Sequence, residues 1–362
     1  MKILARWIVA QPELQGPLPL HMPTETIIAM PSGHRRDVGE IRLPHPTRIS
    51  VPWLKRDIRF NHVTVLLRVG LAIEVAALVV AVWWFAVHGV RWFEVVVLAL
   101  MFLMNALGIT VGYHRLFTHR SLQARPWVRL VVGIWGAMGM QGPILYWVSI
   151  HRKHHRYPDE PEDPHSPRPR DNGRFAVARG AIYAFVGWIV SGEYCLYPEY
   201  IKDLKRDPVV RFVDRYYSLW VIAGVIVPGL IGFAWYGTWE GYWACLFAGG
   251  PIRLFFSLTG TWYVNSAAHI FGSRPFETTD NSRNNRFVVF ATVIGEGWHN
   301  NHHAFPRSAN MAMQPYQIDV GYQFIRLLKR LGLVDRVLVS FGKPIDVTEP
   351  EAQGEKPMTA DA

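Results

Sequence analysis

Nine of the fifteen histidines fall into four short clusters, and three of these clusters adjoin long apolar segments. Neutral imidazole is a good ligand for Fe, Zn, Cu and Ni, and nine imidazoles exceed what one ion can bind. The pattern therefore predicts a two-metal, histidine-rich centre at a membrane face. The clusters comprise His114 and His119 in HRLFTH, His151, His154 and His155 in HRKHH, Asn265 and His269 in NSAAH, and His299, His302 and His303 in HNNHH.

The spacing inside each cluster decides which side chains share a helical face. Residues at positions i, i+3 and i+4 lie on one face, so HRKHH and HNNHH each present three imidazoles there. Asn265 pairs with His269 in the same way, but an amide is a poor metal ligand, so we expect Asn265 to act through a water. His114 and His119 lie about 140° apart on a straight α-helix. Either they bind different metals or the helix ends between them.

The composition indicates a membrane protein. Half of the residues are hydrophobic and only 18% are charged, fewer than in a typical soluble domain. A run of about 20 apolar residues can cross a bilayer. We predict an all-α membrane protein with four transmembrane helices in two hairpins, under a cytosolic helical cap that carries the histidines. The predicted spans are about residues 63–87, 92–112, 217–236 and 242–264.

Convergence of the histidines restricts the topology. The segment 126–150 is apolar and long enough to cross, but crossing would separate His151 from His114. We therefore expect it to be an interfacial helix. Basic residues precede the first span and follow the second, which places both termini and the site in the cytosol. The predicted regions are a cytosolic tail (1–60), a membrane domain (61–315), a C-terminal helical segment (316–342) and a disordered tail (343–362).

The histidine motifs carry a family resemblance. GYHRLFTHRS, WVSIHRKHH, NSAAH and EGWHNNHHAFP resemble the membrane-bound fatty acyl desaturases, in particular the stearoyl-CoA (delta-9) branch, from about Asn61 to Pro315. The resemblance implies that the nine histidines, with Asn265 through water, hold two iron ions (Fe2+/Fe3+). It also implies O2-dependent insertion of a cis double bond into a saturated acyl chain.

The partners follow from the resemblance and the net charge of +10. The acyl carrier stays open between CoA, a phospholipid and acyl carrier protein. Neither tail contains a haem-binding HPGG segment, so the electron donor is expected to be a separate ferredoxin or cytochrome b5-like protein with a reductase. The positive charge suits lipid headgroups or acidic partners. Nucleic acid is not expected as a partner, because the basic residues are dispersed and no binding motif accompanies them.

Other ionisable residues receive supporting roles or none. Nearby acids should offset the charge of a metal centre held by imidazoles alone, and the candidates are Asp159, Glu160, Glu162, Asp163 and Glu296. Glu74 and Arg253 lie inside predicted spans, which suggests an ion pair between them. The remaining histidines match no ligand spacing and are expected to be non-ligands: His21, His34, His45, His62, His88 and His165.

A substrate tunnel is expected beside the second span, which leads into His114. Phe102, Ala106 and Thr110 lie at intervals of four residues near one helical face. At about 1.5 Å per residue, Ala106 lies about 12 Å and Phe102 about 18 Å from His114. The nine carbons beyond a C9–C10 bond need roughly 11 Å. Trp147 and Thr261, each one turn before a cluster, could line the same tunnel; ordinary helix packing is the alternative.

Two other classes of function compete with this reading. A hydroxylase or ketolase of the same superfamily uses similar histidine motifs, although the motif spacing and NSAAH favour the acyl desaturase. A membrane metal-binding or transport protein would place its ligands within the bilayer. The clusters of this chain lie at the ends of the spans instead, which favours an enzyme.

Overall fold

The computed structural model describes residues 47–51, 56–60, 62–168, 173–191, 196–292 and 294–340. Three of the expected non-ligand histidines (His21, His34 and His45) and the expected disordered tail at 343–362 lie outside these residues. The described chain is mostly helical. Strands β1 (Thr47–Val51) and β2 (Arg56–Phe60) form an antiparallel pair, so the expected tail at 1–60 contains regular structure.

The first hairpin consists of helices α1 (His62–His88) and α2 (Trp92–Leu107). Gly89 takes a positive φ of 74° in the turn between them, a conformation that glycine adopts without strain. Helix α2 continues without a break as a π-helix over Gly108–Thr118. Both arms are long and apolar enough to cross a membrane, as predicted for the first two spans.

The apolar segment after the first hairpin forms two helices rather than the single helix expected at 126–150. Strand β3 (Leu122–Ala124) is followed by α3 (Pro126–Ala137) and α4 (Ile144–Arg156). The break arises because Met140 (φ 58°) and Gly142 (φ 97°) adopt left-handed backbone conformations. Pro143 follows and lacks the backbone N–H that a continuing helix would need.

Helix α3 packs closely against the π-helix at the end of the first hairpin. A Cβ atom on Gly108 would lie 2.2 Å from the backbone nitrogen of Gly136. Only glycine therefore permits this approach of the two helices. The contact holds the segment that carries His114 against the helical pair that leads to His151.

Asp214 caps helix α4 from outside its own sequence. Helix α5 (Ala176–Ile182) continues through a π-turn to Val190, and a 3-10 turn follows. Helix α6 (Pro208–Arg215) then places the Asp214 carboxylate at the start of α4. Its two oxygens accept the backbone N–H groups of Ile144 (2.7 Å) and Leu145 (3.1 Å). These N–H groups have no partner within the helix, so the carboxylate satisfies them.

The second hairpin consists of α7 (Tyr217–Tyr236) and α8 (Trp239–Phe247). Helix α8 continues through a π-turn into α9 (Arg253–Ser266) and ends in a 3-10 turn at His269. Helix α7 is the third helix long and apolar enough to cross a membrane. Among the described residues, the expected fourth span (242–264) is not apolar enough to be counted with these three helices. Helix α9 carries Arg253 and several serine and threonine residues.

Arg253 binds backbone carbonyl groups instead of the carboxylate of Glu74. Its three guanidinium nitrogens donate to the carbonyl oxygens of Gly249 (3.0 Å), Met138 (2.7 Å) and Gly224 (2.9 Å). In the described chain, no ion pair joins Arg253 to Glu74, whose Oε1 lacks a hydrogen-bond partner. The two charges therefore interact only at longer range, because carbonyl groups of three helical segments bind the guanidinium directly.

The C-terminal part of the described chain completes the cap. It contains α10 (Arg286–Thr292), α11 (His299–Ala304), α12 (Val320–Arg330) and β4 (Val334–Val337). Strand β4 pairs with β3 in antiparallel fashion. The expected helical segment at 316–342 therefore holds a helix and a strand, and the all-α expectation is corrected by two small sheets.

Helix α4 returns to the end of the second span. Arg152 donates from Nε to the Thr118 carbonyl (3.0 Å) and from Nη2 to the Phe117 carbonyl (2.9 Å). The same guanidinium binds both carboxylate oxygens of Asp203, at 2.8 and 3.0 Å. The contacts satisfy carbonyl groups that the helix end leaves without partners. They also bring the two ends of the segment 119–156 together.

A sidedness assay tests this return of the chain. Reporters fused after Gln123 and after Arg156 should lie on the same side of the membrane, because the two ends of the intervening segment touch. Labelling of single cysteines at the same positions in intact vesicles would check the fusions. Opposite sides would show that the segment 126–150 crosses, contrary to the contacts of Arg152.

Candidate metal centre

The structure brings all nine clustered histidines into two neighbouring groups. Within each group, the ring nitrogens that could bind a metal lie within 4.8 Å of one another. The five-histidine group combines residues from three motifs, and the four-histidine group also combines three. The five-histidine group contains His114, His119, His151, His155 and His302, and the four-histidine group contains His154, His269, His299 and His303.

The Nε2 atoms within each group face one another at short range. A metal–nitrogen bond of about 2.1 Å places two ligand nitrogens about 3.0 Å apart when the bonds are at right angles, and about 3.4 Å apart in a tetrahedron. The observed separations therefore fit a metal ion with mostly right-angled bonds in each group. They are 3.0 Å (His114–His302), 2.9 Å (His155–His302), 3.1 Å (His151–His155), 3.0 Å (His269–His299), 3.1 Å (His299–His303) and 3.3 Å (His154–His303).

The π-helix explains how His114 and His119 join the same group. The backbone N–H of His119 donates to the carbonyl of His114 (3.1 Å), five residues earlier. Because a π-helix has more residues per turn than an α-helix, side chains five positions apart approach one face. The prediction that the two residues bind different metals is not supported. The alternative, that the helix ends between them, agrees with the last helical residue, Thr118.

Four carboxylates fix the orientation of four imidazole rings. Each accepts a hydrogen bond from Nδ1, which leaves Nε2 of the same ring free to bind a metal. The distances are 2.9 Å for His114 to Glu296, 2.8 Å for His154 to Asp163, 3.0 Å for His269 to Asp159 and 2.8 Å for His303 to Asp280.

The sequence identified three of these four acids. Glu160 and Glu162 are exposed on the surface of the same loop, while Asp280 was not among the expected acids. Asp280 lies eleven residues after His269, and only its position in a loop between two histidine motifs could have drawn attention to it. His165 is buried near Asp163, with 3.9 Å between His165 Nδ1 and Asp163 Oδ1. It belongs to neither histidine group, but with His154 and Asp163 it forms a third set of side chains close enough to bind a metal ion.

The electrostatics keep the carboxylates charged and favour the neutral form of His155 and His302, whereas Asp163 raises the pKa of His154 against the effect of burial. Burial raises the pKa of Asp159, but hydrogen bonds from His269, from the Asn281 backbone N–H and from Ser166 outweigh burial and lower the pKa to about 2. The pKa of Asp163 is also lowered, by His154 and against the effect of burial. Burial lowers the pKa of His155 and His302, and neighbouring histidines lower it further. Neutral imidazole is the form that binds a metal.

A largely apolar cavity leads to both groups. Phe102 and Ala106 of α2 line it, together with Trp147 of α4 and Thr261 of α9. Asn265 and four of the clustered histidines, among them His114 and His299, lie in the same wall. The structure therefore places four of the five expected tunnel residues at one cavity.

Thr110 is the expected tunnel residue that the cavity does not include. It is fully buried, and its hydroxyl donates to Oε1 of Glu296. The expectation assumed α-helical geometry as far as His114. The π-helix that begins at Gly108 turns Thr110 away from the face shared by Phe102 and Ala106.

Gln141 is a cavity residue that the sequence analysis missed. It lies in the turn between α3 and α4, where its Oε1 accepts from Trp147 Nε1 (3.2 Å) and its Nε2 donates to Thr261 Oγ1 (2.8 Å). The three side chains form one polar chain across the cavity wall, one helical turn from His151. The sequence offers no local signal for Gln141, because its role depends on Thr261, which lies 120 residues later in the second hairpin.

A helical chain of membrane type, with two all-histidine groups at the end of an apolar cavity, is the architecture expected of a histidine-motif oxidoreductase. Residues 91–318 match the fatty acid desaturase family, and the chain belongs to that membrane-bound family.

Relatives within the family differ in their named activities. The chain is 38% identical over 266 residues to the hex-5-enoyl-(acyl-carrier protein) acetylenase of Moorena producens (strain JHB), covering 73% of this chain and 82% of that protein. It is 35% identical to the sn-1 stearoyl-lipid 9-desaturase of Anabaena variabilis, covering 67% and 82%. Identity to the acyl-CoA desaturase 1 of Tachysurus fulvidraco is 36%, covering 65% and 69%.

Removal of one carboxylate should weaken metal binding without abolishing it. We expect Asp163→Asn to lower the metal affinity of the four-histidine group about 10- to 100-fold, because His154 loses its charged acceptor. His154→Ala should lower it further. The measurement is metal titration of purified protein, with Glu160→Gln, an exposed acid of the same loop, as the matched control. Equal affinities in Asp163→Asn and Glu160→Gln would contradict the role of Asp163.

Proposed function

We propose that the protein is an O2-dependent fatty acyl desaturase that inserts a cis double bond at the delta-9 position of a saturated acyl chain, with acyl-CoA as the carrier. The acyl chain, O2, two electrons and two protons give the alkene and two molecules of water. The observation that carries this proposal is the apolar cavity whose wall includes members of both histidine groups. It offers an alkyl chain direct access to a two-metal centre.

The cofactor proposed for the two groups is a pair of iron ions, with O2 as the co-substrate. Iron bound there would supply the O2 activation and hydrogen abstraction that protein side chains cannot. The nine imidazoles fit as ligands because their Nε2 atoms converge while carboxylates hold several of the Nδ1 protons. Asn265, in the cavity wall near the four-histidine group, would hold a water.

The side chains of the cavity would bind and orient the substrate. Phe102 and Ala106 give an apolar surface that excludes water from the methyl end of the chain. The chain of hydrogen bonds from Trp147 through Gln141 to Thr261 fixes the wall beside His151. The substrate methylenes would then be held close to the metals in one geometry.

The membrane orientation proposed is four spans with both termini and the metal centre in the cytosol. The stretch Trp239–Ser266 would be the fourth span, with Arg253 held by backbone carbonyls inside it. Arg115, Arg120 and Arg125 follow the second span, which supports a cytosolic end there. A reporter at the C terminus that reads from the external side would contradict this orientation.

A second candidate is acetylenase activity, in which the same site oxidises an existing carbon–carbon double bond to an alkyne. The 38% identity to an enzyme named as an acetylenase favours it. The two candidates differ only in the bond oxidised, so the products distinguish them.

Product analysis tests the function most directly. Expression in a host that lacks delta-9 desaturation, followed by assignment of double-bond positions, should show new cis-9 fatty acids. Purified protein supplied with stearoyl-CoA, stearoyl-lipid or stearoyl-acyl carrier protein would identify the carrier.

His151→Ala and His303→Ala should abolish the product, while His88→Ala should retain it, because His88 is an exposed histidine at the end of α1. Asn265→Ala should impair activity less than His269→Ala. Full activity in both site variants would contradict the proposal. Alkynes formed from a supplied enoyl substrate, with no product from the stearoyl substrates, would establish the acetylenase.

The depth of the cavity should set the chain length. Ala106→Phe should fill the cavity near its deep end and favour shorter substrates, whereas Phe102→Ala should admit longer ones. The measurement is the product spectrum from mixed C14 to C20 substrates. Leu103→Ala, on the same helix but outside the cavity wall, is the matched control. Unchanged chain-length ratios in both cavity variants, with activity retained, would place the substrate elsewhere.

The electron donor proposed is a separate acidic protein that docks on three arginines, Arg120, Arg307 and Arg336, of which Arg120 also forms an ion pair with Asp203 (2.6 Å). Backbone hydrogen bonds from Leu338 to Ser121 (2.8 Å) and from Ala309 to Leu338 (2.7 Å) join the segments that carry them. Burial lowers the pKa of Arg307, and the charges of Arg336 and Arg120 lower it further. This positive surface adjoins the metal centre, because Arg120 directly follows His119.

Charge reversal on this surface should slow donor-driven turnover. We expect Arg307→Glu with Arg336→Glu to lower the rate with a plant-type ferredoxin about 10-fold at low salt, since electrostatic attraction accelerates association. Single turnover driven by dithionite should be unchanged. Arg330→Glu, an exposed position on α12, is the control. An equal loss with ferredoxin and with dithionite would locate the defect in the metal centre rather than in docking.

A further inference from the structure

The two asparagines inside HNNHH, Asn300 and Asn301, are fully buried. They belong to α11, which has only six residues and is too short to be stable by itself. Asn284 supports its first turn from outside: its Oδ1 accepts the backbone N–H groups of Asn300 (3.1 Å) and Asn301 (3.2 Å). The position of the ligating histidines on α11 therefore depends on contacts with surrounding loops.

The side chain of Asn300 is bonded to the loop 276–282. Its Oδ1 accepts the backbone N–H of Phe276 (2.9 Å), and its Nδ2 donates to the Phe276 carbonyl (3.1 Å). Longer contacts join Nδ2 to Ser282 Oγ (3.4 Å) and Thr278 Oγ1 (3.5 Å). One amide thus binds both ends of the loop, and both its donor and its acceptor are used.

The same loop supports two rings of the four-histidine group. Asp280 accepts the hydrogen bond from His303 Nδ1 (2.8 Å). The backbone N–H of Asn281 donates to Asp159 Oδ2 (2.7 Å), the oxygen that also accepts from His269 Nδ1 (3.0 Å). The carboxylate that binds a ring of the five-histidine group, Glu296, lies outside this loop.

We propose that Asn300 is a positioning residue for the four-histidine group alone. By holding the loop 276–282 against α11, its amide sets the place of the Asp280 carboxylate and of the Asn281 N–H, and so the orientation of the rings of His303 and His269. Among the described hydrogen bonds, none joins this loop to a ring of the five-histidine group, although that group also has one residue on α11, His302. The inference rests on the two-metal centre of the proposed function, and it is independent of which acyl chain is oxidised.

The test is metal binding to the purified full-length protein under anaerobic conditions, with Fe2+ as the probe. We expect Asn300→Leu to weaken one of the two binding events about 10- to 100-fold, the effect typical of losing support behind a ligand, and to leave the other unchanged. Asn301→Leu is the matched control, because Asn301 donates to the Met311 carbonyl and Gln317 (2.8 and 2.9 Å) and accepts from Asn284 Nδ2 (2.7 Å), without a bond to the loop 276–282. It should lower thermal stability and keep both binding events within a few-fold of the parent.

A double-mutant cycle with Asp280→Asn shows whether Asn300 acts through the loop. Asp280→Asn should weaken the same binding event, and the double variant should lose less than the product of the two single losses, since coupled residues are not additive. If Asn300→Leu does not fold, Asn300→Asp, which keeps the acceptor and loses the donor, replaces it in the cycle. Equal weakening of both binding events, or losses that multiply, would overturn the positioning role. Absence of desaturated product with two intact binding events would contradict the proposed reaction and leave this inference standing.

Discussion

The buried imidazole rings impose the constraint on which the rest of the cap depends. A ring that directs Nε2 toward a metal must satisfy its Nδ1–H elsewhere, because a buried polar group without a partner is costly. The structure meets this demand with carboxylates for four rings, those of His114, His154, His269 and His303. The acids come from three different loops, so the loops must be placed as accurately as the histidines.

The three long apolar helices could be predicted from the sequence because their signal is local. The first and third expected spans agree with α1 and α7 to within a residue or two. The break between α3 and α4 was available in the sequence as Gly142-Pro143, but the continuous hydropathy of 126–150 favoured one helix. The π-helix at Gly108–Thr118 gives no periodic signal, since it differs from an α-helix only by the number of residues per turn.

In the site too, the features that could be predicted are those with a local signal in the sequence. The i, i+3 and i+4 spacing, which is local, identifies the histidines but not their division into groups. In HRKHH and HNNHH the i and i+4 histidines share a group, and the i+3 histidine belongs to the other. Asp280, Gln141 and Asn300 act through contacts with residues far away in the chain or through loops whose shape no short motif encodes. Thr110 illustrates why a regular α-helix could not be assumed. The prediction that residues on one helical face line the cavity holds for Ala106 but fails for Thr110, because Thr110 lies inside the π-helix. Long-range loop contacts and irregular helices are therefore what the sequence alone did not reveal.

The central claim is that one chain holds two metal ions in two groups of imidazoles. X-ray absorption spectroscopy of the purified full-length protein, combined with metal quantification, tests it most directly. The account predicts two iron ions per chain, nitrogen ligands at about 2.1 Å, and the multiple-scattering pattern of several imidazoles per ion. One ion per chain, or a ligand shell dominated by carboxylate oxygen or by sulfur, would contradict it.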